Sequence, residues 1–517
     1  MTLIAVLALV LLQASSTTPR DARSWLAEAQ QFFQKQDWEK TRHAARQALA
    51  IDPRLGDAEV LLGLVATVQS RAADAESHFR KAAGLQPANP RVHAYLGSTY
   101  LQLKRLPEAR RSFDEVLRLD PNNLSARYNL GLIALLENKP AEALPFFERV
   151  HAADPKDVPA LIGVLESQLL LKRTQPAVSS LGKLGALLEP RDPRLLQAAT
   201  MLALHGENAA AIPILEKVHQ ALPESRDVGY NLALAYLGSS QFDKAAGVLQ
   251  PLLSGPGAAD AFNLLGEIEG KRGRAPEAVN ALRRAAELDP ANEDYRFDLA
   301  TSLLQVYGGE TALPAFEACA RDFPNSWRVR LGVGSASYLA GKYLEATRAL
   351  LEAIRLQPTA KEAYNLLGHA YESASSLQPE IVRAFEAYLR HKPADPWAYY
   401  HYGTILYLRS QSEGVDAGVE AKEHLRQALA LDPEFAEAYV QLAMIAETDE
   451  EAVKALERAV QLKPRLASAR YRLALAYQRL GQGDKARTEM DLFRKLRSES
   501  DAAERRRLLQ SLSEQKK

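Results

Sequence analysis

Apolar residues recur along most of this chain at intervals of three and four, the spacing of one face of an α-helix. In residues 90–119, for example, Leu96, Tyr100, Ala109 and Phe113 hold apolar positions, with charged and polar residues between them. Short segments such as LDPNN, rich in turn-forming residues, separate these stretches. The pattern predicts amphipathic helices arranged in pairs.

Prolines give the length of the repeating unit. Thirteen of the 27 prolines form a regular series. Successive members are 33 to 35 residues apart, except for the last two intervals of 40 and 31 residues: Pro53, Pro87, Pro121, Pro155, Pro190, Pro223, Pro256, Pro290, Pro324, Pro358, Pro393, Pro433 and Pro464. Proline lacks the N–H that a helix interior needs and clashes with the preceding turn, so we expect each to end a second helix. A last unit, YRLALAYQRLGQGDKARTEM, has no such proline, which gives roughly fourteen units.

The unit resembles the tetratricopeptide repeat in its length and in its Leu-Gly, Tyr, Ala, Phe, Ala and Pro spacing, from residue 22 to about 500. The resemblance implies an all-α fold, a right-handed superhelical α-solenoid of stacked antiparallel helix pairs whose first helices line a concave groove. Because one helix pair cannot bury its own apolar face, neighbouring pairs must supply a continuous core.

We divide the chain into four segments. They are a signal peptide at 1–16, an N-terminal repeat array at 22–255, a C-terminal array at 258–500, and a capping helix with tail at 501–517. The stretch PLLSGPG, 251–257, holds two prolines and two glycines, which marks either a bend between the arrays or an ordinary loop.

The N-terminal run LIAVLALVLL is ten residues long, whereas a helix needs about 20 residues to span a bilayer. Small residues Ala14, Ser15 and Ser16 follow it, as after the apolar region of a secretory signal, although no Lys or Arg precedes it. The segment predicts an exported chain, periplasmic or secreted, with no transmembrane span after cleavage. If the signal is not used, the protein is cytoplasmic.

Charge and cysteine content exclude several classes of function. Lys+Arg and Asp+Glu are both 64, so the chain lacks the basic excess typical of proteins that bind nucleic acid or anionic membranes. With Cys319 as its single cysteine, the chain has neither an internal disulfide nor a cysteine zinc site. Small apolar neighbours predict that Cys319 is a buried core residue.

The sequence contains no motif for catalysis. A glycine-rich phosphate loop, a nucleophile elbow and a His-Glu-x-x-His zinc motif are all absent. The repeats occupy nearly the whole chain and leave no segment of domain size for a catalytic fold. We therefore predict no enzymatic activity, no catalytic residue, no metal and no cofactor.

The stretch WAYYHYGTILY, 397–407, holds five aromatic rings in eleven residues. Residues three and four apart share a helix face. Aligned to the other units, the stripe through Tyr399 and Tyr402 takes core positions. By the resemblance, the stripe of Trp397, Tyr400, Thr404 and Tyr407 faces the groove.

Exposed aromatic rings with polar surroundings are typical of recognition sites. Two interpretations remain open: the rings bind a partner, or the extra residues of this 40-residue unit, RSQSEGVDAG, fold back and bury them. The first interpretation gives the candidate partner-binding residues Trp397, Tyr400, Tyr407, Thr404, Asn365 and His369, the last two from the preceding unit.

The leading hypothesis of function is an exported scaffold that binds a protein or an extended peptide segment in its groove. Such a scaffold would assemble a cell-envelope or secretion-related complex without doing chemistry. Carbohydrate binding in polysaccharide export is the alternative, because aromatic faces stack on sugar rings. A cytosolic adaptor is the version without export.

Overall fold

The computed structural model describes residues 21–413 and 418–496, and in this part of the chain regular structure is helical, without strands. The α-helices are α1 Ala22–Gln34, α2 Trp38–Ile51, α3 Gly56–Val68, α4 Ala72–Leu85, α5 Pro90–Gln102, α6 Leu106–Leu119, α7 Leu124–Leu136, α8 Pro140–Ala153, α9 Val158–Leu170, α10 Thr174–Leu187, α11 Pro193–Leu204, α12 Asn208–Ala221, α13 Arg226–Gly238, α14 Phe242–Leu249, α15 Ala258–Lys271, α16 Ala275–Leu288, α17 Glu293–Tyr307, α18 Gly309–Asp322, α19 Trp327–Leu339, α20 Tyr343–Leu356, α21 Lys361–Ala370, α22 Gln378–His391, α23 Pro396–Glu413, α24 Gly418–Leu431, α25 Ala436–Met444, α26 Asp449–Leu462 and α27 Ala467–Arg479. Residues 483–496 are also helical. Short 3-10 turns lie at Gln250–Leu252, Tyr371–Ser373 and Ser375–Leu377.

The repeat prolines lie just beyond the second helix of each pair, as predicted. Helix α4 ends at Leu85 before Pro87, and α6 ends at Leu119 before Pro121. The next first helix then begins with a capping side chain in many units; Asn123, for example, accepts a hydrogen bond from the backbone N–H of Ala126 at 2.9 Å. Proline and cap together fix where one pair stops and the next begins.

Glycine in the first helix makes room for phenylalanine from the second. A Cβ atom added at Gly97 would lie 2.9 Å from the ring of Phe113, and one added at Gly131 would lie 2.8 Å from the ring of Phe147. Both rings are buried. The close approach of the two helices therefore depends on the missing side chain, which explains the Leu-Gly pair of the repeat.

The chain separates into two compact units, Met1–Gln241 and Phe242–Lys517. Within each unit, helices pack in sequence on their neighbours along the chain, and first helices of successive pairs also touch, as α9 does with α7 and α11. Each unit is therefore an all-α solenoid of stacked helix pairs, as the sequence predicts. None of its described helices is long and apolar enough to cross a membrane.

Some predictions concern residues that the structure does not describe, and the predicted division into arrays is not tested. The signal peptide at 1–16 and the terminal helix and tail at 501–517 fall outside the described residues. At 251–257 the chain passes through the 3-10 turn and two glycines, Gly255 and Gly257, with positive φ of 76° and 75°. The division into arrays at 22–255 and 258–500 remains a prediction.

Candidate functional site

Asp395 fixes the start of the aromatic helix α23. Its Oδ1 accepts a hydrogen bond from the backbone N–H of Trp397 at 3.0 Å, and its Oδ2 accepts one from the Tyr388 hydroxyl at 2.8 Å. Lys361 of α21 lies 3.5 Å from the same carboxylate. The first turn of α23, which carries the Trp397 ring, is thus tied to both preceding helices.

One stripe of α23 was predicted to be core, and the prediction holds at Tyr402 but only partly at Tyr399. Tyr402 and Leu406 are buried, and the Tyr402 hydroxyl donates to Glu386 at 3.1 Å. Burial and the Glu386 carboxylate both raise the pKa of Tyr402. Tyr399 is half-buried and stacks on His424, with ring centroids 5.6 Å apart.

The other stripe holds half-buried rings that meet a phenylalanine of the next pair. The Phe435 ring lies 4.4 Å from Trp397 and 5.0 Å from Tyr400, centroid to centroid. Trp397 and Tyr400 also contact each other edge to face at 5.9 Å. Phe435 itself is buried. The three rings form one cluster in which Trp397 and Tyr400 keep part of their surface in solvent.

Hydrogen-bonding groups surround Tyr400. Burial raises the pKa of its hydroxyl, while a hydrogen bond from Gln441 and the positive charge of Arg472 act in the opposite direction. Within the described residues, the half-buried Arg472 guanidinium has no carboxylate partner and no hydrogen-bond acceptor. A cationic donor therefore lies near the aromatic rings with its bonding capacity unused.

Tyr407, two turns after Tyr400, borders a pocket of 370 Å³. The pocket is also lined by Met444 and Leu475, and by the charged side chains of Glu447, Arg472 and Arg479. Arg479 is already paired with Asp449 at 2.6 Å. The pocket thus combines an aromatic ring, aliphatic side chains and Arg472, which is unpaired among the described residues.

The remaining candidate partner-binding residues, Thr404, His369 and Asn365, are less available to a partner than the aromatic rings or lie further from them. The Thr404 hydroxyl donates to the Tyr400 carbonyl oxygen at 2.8 Å and is engaged within its own helix. His369 is exposed on α21, and its ring lies 5.2 Å from that of His401, edge to face. Asn365 is half-buried one turn earlier on the same helix. The structure therefore brings His369 to α23 through His401.

His401 was not among the predicted residues. It is buried between the aromatic rings, and a Cβ atom added at Gly368 would lie 2.2 Å from its Nδ1. In the described part of the chain its Nε2 has no hydrogen-bond partner. Burial, with smaller effects from His369 and Lys361, holds the pKa of His401 well below its usual range. His401 is therefore a neutral packing residue behind the half-buried rings.

The extra residues of this unit lengthen the helix instead of forming only a loop. Helix α23 continues to Glu413, and α24 begins at Gly418. Residues 414–417, the rest of the segment expected to cover the rings, lie outside the described residues. Where the contacts are described, Phe435 of the next pair and His401 of α23 itself pack on Trp397 and Tyr400.

Phe435 was missed because it occupies a capping position. In several other units the equivalent residue is Asn89, Asn123 or Asp157, each of which caps its helix through its side chain, whereas Leu55 and Ala360 make no such hydrogen bond. Phe435 is the N-cap of α25 and makes no such hydrogen bond. A ring in place of a capping residue, one unit after an aromatic cluster, is the signal that the sequence offered.

The residue types on this surface are those of binding sites. Among the described residues, no group of three or more His, Cys, Asp or Glu side chains is placed to hold a metal ion. Trp, Tyr and Arg are the residue types that carry most binding energy at protein interfaces. Trp397, Tyr400, Tyr407 and Arg472 match that composition.

Comparison with known proteins gives remote likenesses. BBSome complex member BBS4 of Bos taurus is 23% identical over 319 residues, which are 47% of this chain and 61% of that protein, so the chain spans less than two thirds of this relative. The Pseudomonas aeruginosa PilF structure is 22% identical with a TM-score of 0.34 and covers 40% of this chain and 94% of its own. The yeast Tom70 structure is 15% identical with a TM-score of 0.36 and covers 89% and 96%.

Sequence models of the tetratricopeptide repeat match along most of the chain. One of them matches residues 11–90, 95–158, 297–360 and 340–396. Others match residues 202–268, 259–292, 448–481 and 468–500. These matches coincide with the stacked helix pairs and with the prolines that separate them. The chain belongs to the tetratricopeptide repeat family.

Proposed function

We propose that the protein is an exported, non-catalytic scaffold that binds another protein, or an extended peptide segment of one, on the first helices of its C-terminal unit. The observation that carries the proposal is the line of Trp397, Tyr400 and Tyr407 along α23. These rings are half-buried on their own helix pair and keep surface available for a partner.

The surroundings of the rings support a protein partner. Phe435 supports Trp397 and Tyr400 from one side, so a partner would meet rings that are already held in place. Rings held in place lose little conformational entropy on binding. Arg472 would supply hydrogen bonds to a carboxylate or carbonyl group of the partner. The proposed surface also includes Asn365, His369 and Thr404.

Export and assembly of a cell-envelope or secretion-related complex form the second part of the proposal. They rest on the apolar run at 3–12 followed by small residues. Mass spectrometry of the protein from its host tests this part. A mature N-terminus near residue 17 supports export, whereas an intact Met1 in a soluble intracellular fraction supports a cytosolic adaptor.

Crosslinked co-purification from the host tests the binding site. The variant is Trp397→Leu, Tyr400→Leu and Tyr407→Leu, which removes the rings and keeps apolar contact with Phe435. The matched control replaces Tyr343, an exposed tyrosine on the second helix α20 of the same unit, with leucine. We expect a partner that is retained by the control and lost by the variant.

A partner retained by both chains, or lost from both, contradicts the proposed site. The same three chains are run in a gel that contains polysaccharide. Retardation of the wild type and the control, but not of the variant, would instead assign the rings to carbohydrate binding.

A further inference from the structure

Five successive first helices of the N-terminal unit, α3, α5, α7, α9 and α11, expose side chains at three equivalent positions. The positions are four residues apart on each helix and 34 residues apart between helices. We call this set the aliphatic face: Val60, Leu64 and Val68; Ala94, Ser98 and Gln102; Tyr128, Leu132 and Leu136; Ile162, Glu166 and Leu170; Leu196, Thr200 and Leu204. Every member is half-buried or exposed.

Four of the five outermost members of the face are large and apolar, and the fifth is Gln102. Val68 is 54% exposed, Leu136 67%, Leu170 41% and Leu204 78%, and each is the last residue of its helix. Scattered apolar residues on a protein surface are ordinary, but a set repeated at one position of neighbouring repeats forms a contiguous patch. Such patches mark interaction sites.

The near absence of charge on the aliphatic face limits which partner surfaces can bind there. Of its members, Glu166 is the one side chain that carries a charge at neutral pH. A partner that placed a charged side chain against the other members would bury that charge without a counterion, which is costly. The partner must therefore present an uncharged, apolar side to this face.

Hydrogen bonding decides the conformation of the partner. An extended peptide needs acceptors and donors for its backbone, and the polar side chains of the face are only five over five helices: Ser98, Gln102, Tyr128, Glu166 and Thr200. Asn129, half-buried beside the face, already donates to the carbonyl oxygen of Ser125 at 2.8 Å. A helix satisfies its own backbone groups and needs only apolar contact.

We propose that the aliphatic face binds an amphipathic α-helix of another protein through a stripe of leucine-like side chains. This site is separate from the aromatic rings and rests on the proposed scaffold function. Neighbouring helices pack on the order of 10 Å apart, and a helix rises 1.5 Å per residue, so side chains about seven residues apart meet successive helices of the face. About 28 residues would reach across all five.

Two labelled peptides of about 28 residues, identical in composition, test the proposal with the full-length protein. Both contain Leu, Gln, Lys and Glu at zero net charge; one has a leucine stripe of seven-residue period and the other is shuffled. The face variant carries Leu136→Glu, Leu170→Glu and Leu204→Glu. The control carries Ile51→Glu, Leu85→Glu and Leu187→Glu, exposed apolar residues that end the second helices α2, α4 and α10.

By fluorescence anisotropy we expect the striped peptide to bind the wild type and the control at least tenfold more tightly than the face variant. The shuffled peptide should bind the wild type at least tenfold more weakly than the striped one. If melting shows that the triple face variant does not fold, the single Leu204→Glu variant takes its place. The Trp397, Tyr400 and Tyr407 leucine variant should bind the striped peptide as the wild type does, which separates this site from the aromatic one.

The proposal is overturned if the striped peptide does not bind, if the shuffled peptide binds equally, or if the control loses as much affinity as the face variant. Two other occupants would also overturn it. A wild-type dimer that separates in the face variant, measured by sedimentation, would assign the face to a second copy of the chain. Binding that requires removal of residues 1–20 would assign it to the chain's own apolar run.

Discussion

The Phe435 ring lies 4.4 Å from the Trp397 ring, and this contact joins the aromatic helix α23 to the pair that follows it. Phe435 occupies the N-cap of α25 without a capping hydrogen bond. A capping side chain stabilises a helix by about 1 kcal/mol. The unit therefore forgoes a local hydrogen bond and gains a support for Trp397 and Tyr400.

Replacing Phe435 with asparagine should restore the cap and remove the support. Truncating a buried phenylalanine typically costs about 3 to 5 kcal/mol, whereas the cap returns only about 1 kcal/mol. We expect lower stability, with faster amide hydrogen exchange in α23 and α25 than in α17. The Phe435→Leu variant should lose less stability than Phe435→Asn, because leucine keeps part of the apolar contact. Unchanged or slower exchange in Phe435→Asn would contradict the packing role of the ring.

The sequence predicts the fold because each repeat unit contains the residues that determine where its helices end and how closely they pack. The spacing of Pro87 and Pro121 reports where second helices end, and Gly97 with Phe113 reports how closely two helices approach. These signals are local and recur in register, so one unit explains the others. Tyr402, aligned with Leu96, could be assigned to the core for the same reason.

The sequence predicts the binding surface less well because partial exposure depends on neighbours in space. Phe435 is 38 residues from Trp397, and the ring at a capping position marks an unusual residue without identifying α23 as its contact. Leu136 and Leu204 have the apolar character of core residues, and only the packed helices reveal their exposure. The chemistry of a site is readable from sequence, but its accessible surface is not.

Gly97→Ala should destabilise the N-terminal unit. The added methyl group would lie 2.9 Å from the ring of Phe113, and overpacking of this kind costs about 1 to 3 kcal/mol. Gly84→Ala is the matched control, because this exposed helical glycine has nothing within 4 Å of an added Cβ. The control should gain up to about 1 kcal/mol from better helix propensity. Equal melting temperatures for the two variants would contradict the close helix packing.

His401 should make the free energy of unfolding decrease as the pH is lowered. The pKa of the buried imidazole lies well below that of the unfolded chain, which is near 6.5. Below that pH the unfolded chain binds a proton that the folded chain does not, so the free energy of unfolding decreases as the pH falls. The limiting slope is about 1.4 kcal/mol per pH unit for one proton.

His401→Leu tests this pH dependence. Leucine occupies the equivalent buried position in the preceding unit, Leu366, so the substitution suits the site. Melting temperatures between pH 7.5 and pH 5 should fall less steeply in the variant than in the wild type. His369 and Lys361 are unchanged in both proteins. Parallel pH profiles would show that His401 does not stay neutral in the folded state.

Cys319 should be unreactive in the folded protein. Burial raises the pKa of its thiol to about 11, and the side chain has no exposed surface. Thiolate is the reactive form, so alkylation by iodoacetamide at pH 8 should be slower than in a denatured sample by a hundredfold or more. Mass spectrometry measures both rates. Comparable rates would place Cys319 outside the core.

The central claim is that the rings on α23 face a partner, and site-specific photocrosslinking in the host tests it most directly. Tyr407 is replaced by p-benzoylphenylalanine in one protein, and Tyr343, an exposed tyrosine at the start of the second helix α20, is replaced in the other. We predict one discrete crosslinked partner from position 407 and none from position 343. Crosslinks from position 343 alone, or the same products from both positions, would contradict the claim.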